Sequence, residues 1–414
     1  MSDDQIRINN LVNQLVKGVL RDLKTVNEHA YIEDRVSKIR RSRVNAEFCS
    51  TLVNLHNNGL ENYYNIIEKL AKGIVLDQNK DGSWNEKHLN YDNPSSVFTS
   101  ICALSLLDVK ETFPEMSIED NVFENAARFL IRQEISSGHF RKSEQYHADV
   151  LNADAMVAAF LVRIGTKYHN DDYIKAGERA LLNVCKQQFT DGGFPYGGPT
   201  KAHPYKYHLH VPCIHYQTVT LYYLMKSLPL AKSDWLTNSI NQGIKWLLQN
   251  QVVNGTFSWK KSGLNFALYL TATYALSVPL YLRYITIDNR AQRMIIKCID
   301  ILEKQIVNDI LLRWEKGSFG SVLKGILDAP IGGFIGEYPL SFKILRSLHR
   351  IHREIARSEI SENITASKLV NRTAGGYSSI MSTVESSTNY PDMYMTTEAL
   401  EALSSVLVKE TVAH

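Results

Sequence analysis

The chain has 414 residues, with 46 Lys and Arg against 43 Asp and Glu and a formal net charge of +3. So balanced a charge, with no recognised nucleic-acid module, argues against a nucleic-acid partner, while 44% hydrophobic content suits a packed core. No uncharged apolar run is long enough to cross a bilayer; residues 266–282 come closest, interrupted by Thr271, Thr273 and Pro279.

The N-terminus lacks a signal-type apolar stretch, and the five cysteines (Cys49, Cys102, Cys185, Cys213 and Cys298) are odd in number and widely spaced. They read as reduced core residues of a cytoplasmic protein. Residues 4–27 and 32–57 are expected to be two amphipathic helices forming an extension, 1–57, outside the main fold. The extension is available to pad that fold or to pair two copies as a homodimer. The basic run at 35–43 has no interleaved aromatics and reads as a solvated helix face.

From residue 58 onward a signature recurs: glycine, any residue, aromatic. The copies are Gly82-Ser83-Trp84, Gly138-His139-Phe140, Gly192-Gly193-Phe194, Gly255-Thr256-Phe257, Gly317-Ser318-Phe319 and Gly375-Gly376-Tyr377, roughly 54–63 residues apart. Gln78, Gln133, Gln188 and Gln251 precede the first four. Each signature separates two expected helices. The upstream set is 62–76, 121–134, 173–188, 235–250, 291–305 and 361–370, each with a charged stripe. The downstream set, at 95–107, 150–164, 212–228, 264–282, 340–355 and 395–408, is apolar on more of its surface. A charged stripe faces water and an all-round apolar helix is covered, so the pattern predicts an outer and an inner ring. Six pairs over 58–414 make an all-α (α/α)6 toroid, with the glycine turns at one end. An open superhelix is the less economical arrangement.

Candidate chemistry follows the signatures, at the expected N-termini of the inner helices. Tyr146, His147, Asp149, Asn152 and Asp154 cluster before 155–162. A carboxylate just inside a covered helix loses solvation, which raises its pKa and suits it to proton donation; helix capping is the competing role for Asp149 and Asn152. A second cluster, 203–216, carries His208, His210, Cys213, His215 and Tyr216. Histidine with tyrosine serves acid/base chemistry. His210, Cys213 and His215 are also zinc-type ligands, but their spacing matches no zinc motif, so neither a metal nor a cofactor is assigned. Trp84, Tyr91, Trp259, Tyr338, Asp392 and Tyr394 come from the same end of the other units and are candidate substrate contacts, each also readable as a cap or packed aromatic.

The stretch Gln78-Asn79-Lys80-Asp81-Gly82-Ser83-Trp84, with Gln187-Gln188-Phe189-Thr190-Asp191-Gly192-Gly193-Phe194, resembles the glutamine–tryptophan repeat of squalene and hopene cyclases. The protein prenyltransferase β subunits share that architecture. The resemblance implies an enzyme acting on an isoprenoid in a central cavity. The family's acid motif, DxDD, is matched by Asn152-Ala153-Asp154-Ala155, which places Asp154 at the proton-donating position and replaces both flanking carboxylates. The Asp-x-Cys zinc ligands of the prenyltransferases have no counterpart. The leading expectation is a terpenoid-cyclase-like enzyme with Asp154 as general acid, surrounded by Tyr146, His147, His208 and His215. The alternatives are an acid/base carbohydrate enzyme working through 203–216, and a non-catalytic binding toroid. In both enzyme readings the partner is a small molecule, and the binding toroid would take a protein or a small molecule.

Overall fold

A computed structural model describes residues 3–34, 38–88, 91–144, 149–198, 212–231, 233–257, 270–311, 370–371, 387–388 and 392–407. The protein is an all-α toroid. Its inner helices are α2 (Ser42–Asn57), α4 (Ser96–Thr112), α6 (Leu151–Tyr168), α8 (Ile214–Ser227), α10 (Leu270–Tyr284) and α12 (Met393–Ser404). Each packs against the next, and α12 returns to α2, so the ring is closed. Outside lie α1 (Asp3–Leu20), α3 (Tyr64–Leu76), α5 (Asp120–Arg132), α7 (Asp171–Lys186), α9 (Asp234–Asn250) and α11 (Arg290–Glu303). The inner helices are buried over most of their surface and the outer ones only along one stripe, as the charge pattern predicts.

Two expectations are corrected. Residues 1–57 are not an extension: α2 is an inner helix, and α1 docks on α12 and α11 as the outer helix that closes the ring. The apolar face of α1 (Leu11, Val12, Leu15, Val19) is buried in this seam. Arg7 adds ion pairs to Asp300 at 2.8 Å and Glu303 at 2.7 Å. The sixth pair is therefore α11 with α12. The expected helices 340–355 and 361–370, and the signatures at Gly317 and Gly375, lie outside the described residues apart from Val370, which is in a two-residue strand.

The turns between outer and inner helices repeat closely. Gly82, Gly138, Gly192 and Gly255 have φ between 80° and 94°, the left-handed region that a side chain disfavours. Gln78 Nε2 donates to Gly82 O at 3.1 Å, Gln188 Nε2 to Gly192 O at 3.0 Å and Gln251 Nε2 to Gly255 O at 2.8 Å, so the glutamine of the signature ties the turn. Each turn lies against the next outer helix, too close for a Cβ: Gly82 on Asn125 O, Gly138 on Arg179 O and Gly192 on Gln242 O. The first and last turns have no glycine. Their left-handed residues are Asn27 in the hairpin β1–β2 (Leu23–Val26, His29–Ile32) and Asn308–Asp309 between Ile306–Val307 and Ile310–Leu311. At both, the glycine has moved to the facing helix: Gly73 against Ala30 O and Gly18 against Asp309 O.

Gly18→Ala tests this seam. Alanine favours a helix interior by about 1 kcal/mol over glycine, yet a Cβ here would stand 1.9 Å from Asp309 O. A net loss of roughly 1–3 kcal/mol is expected from the forced separation, read as a lower urea midpoint. A stabilised variant would show that α1 does not close the ring this tightly.

Candidate active site

A second repeat joins each turn to its inner helix. The backbone N–H after the turn donates to a side chain at the fourth position of that helix. Ile32 N reaches Asn45 Oδ1 at 2.7 Å, Trp84 N reaches Thr99 Oγ1 at 3.0 Å, and Phe140 N reaches Asp154 Oδ1 at 2.8 Å. Phe194 N reaches Gln217 Oε1 at 2.6 Å and Leu311 N reaches Thr396 Oγ1 at 3.0 Å. In the remaining unit Tyr274 packs on Phe257, with ring centroids 5.2 Å apart.

Asp154 is thus one member of a structural set. Its other oxygen accepts from Asn183 Nδ2, on outer helix α7, at 3.0 Å. The carboxyl is fully buried between inner and outer rings and turned away from the ring's interior. Burial, then the neighbouring Asp149 carboxylate, push its pKa well above the ordinary carboxylate range, against the hydrogen bonds from Phe140 and Asn183. The elevated pKa expected from sequence is present, on a buried carboxyl held by a turn N–H and by the outer helix. Asp149 in turn receives Gln187 Nε2 and lies 3.1 Å from His139 Nδ1.

Asp154→Asn preserves an oxygen for Phe140 N–H and mimics the neutral acid, so stability within about 1 kcal/mol of the wild type is expected. Asp154→Ala strands a buried N–H, a cost of about 1–3 kcal/mol. Thermal melts of the two variants check the difference. A catalytically dead Asp154→Asn with an unchanged melt would return the acid role to Asp154.

The residues facing the ring's interior form the same stripe on successive inner helices, at spacing i, i+4, i+7 and i+11. On α2 it reads Arg43, Glu47, Ser50, Asn54; on α12, Tyr394, Glu398, Glu401, Ser405 at its C-cap. On α8 it reads His215, Val219, Tyr222, Lys226. Contacts between helices that are not neighbours in the ring confirm the direction: Lys226 of α8 pairs with Glu401 of α12.

At the turn end of this interior, Arg43 is forked between two carboxylates. Its Nε donates to Glu47 Oε1 at 2.5 Å and its Nη2 to Glu398 Oε1 at 2.8 Å. Nη1 donates to the Tyr394 hydroxyl, whose ring lies under the guanidinium at 4.4 Å from its centroid. Thr397 Oγ1 donates to Glu47 Oε2 at 2.8 Å. Among the described residues Glu398 Oε2 has no hydrogen-bond partner, and it is buried.

One cation cannot keep two desolvated carboxylates ionised. Burial, partly offset by Arg43 and reinforced by Glu398, pushes Glu47 up to about 8. Burial also raises Glu398, against the pull of Arg43. Near neutral pH the trio therefore retains a proton, shared by the pair as a coupled unit. Burial costs the Arg43 charge, but Glu47, Tyr394 and Glu398 outweigh that and hold it firmly protonated.

Deeper in, the interior is bridged by polar contacts. Arg163 Nη1 meets Asp108 Oδ1 at 2.5 Å, Ser50 Oγ donates to Asp108 Oδ2 at 2.9 Å, and Asn54 Nδ2 donates to Ser404 Oγ at 3.0 Å. Lys226, at the same stripe position as Asn54, pairs with Glu401.

The candidates from sequence divide sharply. Tyr394 lies in the charged cluster, and Asn152 holds the first stripe position of α6, 7% exposed, with no partner for its Oδ1. His215 also faces inward, but burial and then Arg43 push its pKa down to about 3, so it stays neutral, with Nδ1 3.2 Å from Thr273 Oγ1. A histidine so held is unsuited to the acid role. Tyr216 packs against Tyr196, ring centroids 4.5 Å apart. Trp84 is corrected from substrate contact to core: its indole is fully buried and donates to Ile74 O at 2.7 Å. Asp392 is corrected to a helix cap, accepting from Tyr394 N at 2.8 Å and Met395 N at 3.3 Å. Tyr91 begins strand β4 (Tyr91–Ser95), paired with β3 (Trp84–His88). Tyr146, His147, His208, His210, Trp259 and Tyr338 lie outside the described residues.

Sequence reasoning missed Arg43, Glu47 and Glu398. Arg43 belongs to the basic run expected to be solvated, yet it is buried inside the ring. The available signal was the presence of Glu398 and Glu401 in an otherwise apolar inner helix, since carboxylates are covered only when paired.

No family model matches the chain, and no curated protein matches it. Among solved structures, the fold is similar to a possible member of the GH105 family from Salmonella enterica serovar Paratyphi A, with TM-score 0.58 and 12% identity over 98% of this chain and 94% of that one. An unsaturated glucuronyl hydrolase specific for heparin gives TM-score 0.53 and 13% identity over 87% of this chain and 98% of that one. A type II terpene cyclase from Scytonema, in complex with geranylgeranyl dihydroxybenzoate, gives 0.55 and 12% over 98% of both chains. At these identities the likeness establishes the toroid fold. Among the described residues no helix is long and apolar enough to cross a membrane.

Proposed function

We propose that the protein is an enzyme that delivers a proton from the Glu47–Arg43–Glu398 trio to an oxygen atom of a saccharide-type small molecule inside the ring. The observation that carries this reading is the buried Glu398 Oε2, unpartnered, in a carboxyl pair that retains a proton near neutral pH. In hydrolysis, the Glu398 proton goes to the departing oxygen as its C–O bond breaks; water supplies the new C–O bond and its proton restores the carboxyl. Glu398 is the catalytic acid, Glu47 the positioning residue that keeps it protonated, and Tyr394 and Asn152 ligand contacts.

A carboxyl with an elevated pKa is a weak acid, matched to a glycosidic or enol-ether oxygen more than to an unactivated alkene. One structurally similar protein is named as an unsaturated glucuronyl hydrolase specific for heparin and another as a possible member of the GH105 family, which supports the same direction. A second reading, an isoprenoid substrate, is favoured by the apolar side of the ring formed by α4 and α6. All five cysteines are free thiols, consistent with a reducing, cytoplasmic setting. Incubation with saturated and unsaturated uronyl oligosaccharides, in parallel with prenyl substrates, tests the assignment. Release of a saccharide product supports it, and cyclised prenyl product with inert saccharides overturns it.

A further inference from the structure

The wall facing the charged cluster has the opposite character. At the stripe positions α4 carries Val97, Ile101 and Leu104, and α6 carries Met156 and Ala159. On α4 residual exposure follows the stripe: Val97, Ile101 and Leu104 retain 5%, 3% and 5%, against 1% for Phe98 and 0% for Cys102, Ala103 and Leu106. On α6 the stripe residues Ala159 and Met156 retain 4% and 1%, against 0% for Ala155 and Ala158. Asn152, with its unpartnered Oδ1, marks the turn end of this wall, and the Asp108–Arg163 pair ends it below.

We infer that the interior takes an amphipathic small molecule: a polar head at Arg43, Glu398, Tyr394 and Asn152, and an apolar arm laid along α4 and α6. The inference builds on the reading above for the head, but the arm is a separate claim. Charge on one side and aliphatic carbon on the other suit a ligand whose two ends differ in the same way. From Val97 to Leu104 the wall runs about 10 Å at ~1.5 Å per residue. Below that, an arm would have to displace the Asp108–Arg163 pair, so its length is limited.

Calorimetric titration of the full chain with alkyl β-glucosides of increasing chain length, kept below micelle-forming concentrations, tests this. Affinity should rise about fourfold per added methylene, then level off as the arm reaches the ion pair. Ile101→Trp and Ala159→Leu, introduced from opposite helices, should each flatten the series and leave the methyl glucoside unaffected; a thermal melt identifies whichever variant is folded. A flat series in the wild type, or an unchanged slope in a folded wall variant, overturns the inference. Because the readout is binding, Glu398→Gln should keep the slope: a steep series in an enzyme that turns over no saccharide would leave the arm standing and the acid assignment fallen.

Discussion

Arg43→Met is expected to destabilise the ring by roughly 3–5 kcal/mol, because it strands the charge of a desolvated carboxyl pair without its counter-ion. Arg43 lies at the junction of α2 and α12, the two helices that join the ends of the chain, and three of its five N–H donors are used there. The loss should depend on pH. With the guanidinium gone, both carboxyls take up protons more readily, so the variant recovers part of its stability as the pH is lowered. The triple variant Arg43→Met, Glu47→Gln, Glu398→Gln removes the stranded charge and should regain most of the loss. Urea denaturation of the three proteins across pH checks this. An Arg43→Met penalty under about 1 kcal/mol, the size of an exposed pair, would show that the cluster is not the closed electrostatic unit described.

Glu398→Gln should lower turnover by about 10²- to 10⁴-fold, the typical worth of a positioned general acid, with the fold retained. Glu47→Gln acts differently. It leaves Glu398 alone with Arg43, which then holds that carboxylate ionised to lower pH, so the alkaline limb of the rate profile should move towards acid. The same pair sets a stability signature. Glu47 rises from an ordinary 4.5 to about 8 in the folded protein, so the native state holds a proton that the unfolded chain has released. Stability is then highest below about pH 4.5 for this pair and falls as pH rises towards 8, by at most about 1.4 kcal/mol per pH unit. Both glutamine variants should flatten that slope. A wild-type melt that rises across the window, or a Glu398→Gln enzyme with full activity, would remove the proposed acid.

The fold was largely legible because its repeat is written in residue types with one physical use each. Glycines at positive φ, a tethering glutamine and an aromatic plug recur wherever a turn must sit tightly on the next helix. The count slipped by one unit because the turns at the seam use Asn27 and Asn308–Asp309, with the missing glycines placed on the opposing helices as Gly73 and Gly18. A search along one strand of sequence sees the turn and not its partner. That is why α1 and α2 looked like an extension.

The site was less legible. Asp154 drew attention as a buried acid following a signature, yet its fourth-position place is filled in other units by Asn45, Thr99, Gln217 and Thr396, whose shared property is an oxygen for a backbone N–H. The acids that face inward stand at the stripe positions of α2 and α12, about 350 residues apart in the chain: Thr397 to Glu47 is a separation of 350.

By itself the sequence determined the four helix pairs from α3–α4 to α9–α10, the placement of their glycine turns and the covered or exposed character of their helices, since these follow from local periodicity and backbone preference. Which buried acid looks outward to a turn and which inward to a ligand was decided only by the closure of the ring. That closure fixes helix rotation, and rotation by one residue carries a carboxylate from the seam between the rings into their shared interior. It also brings Arg43, Glu47 and Glu398 into one desolvated cluster, where a single cation leaves a proton behind.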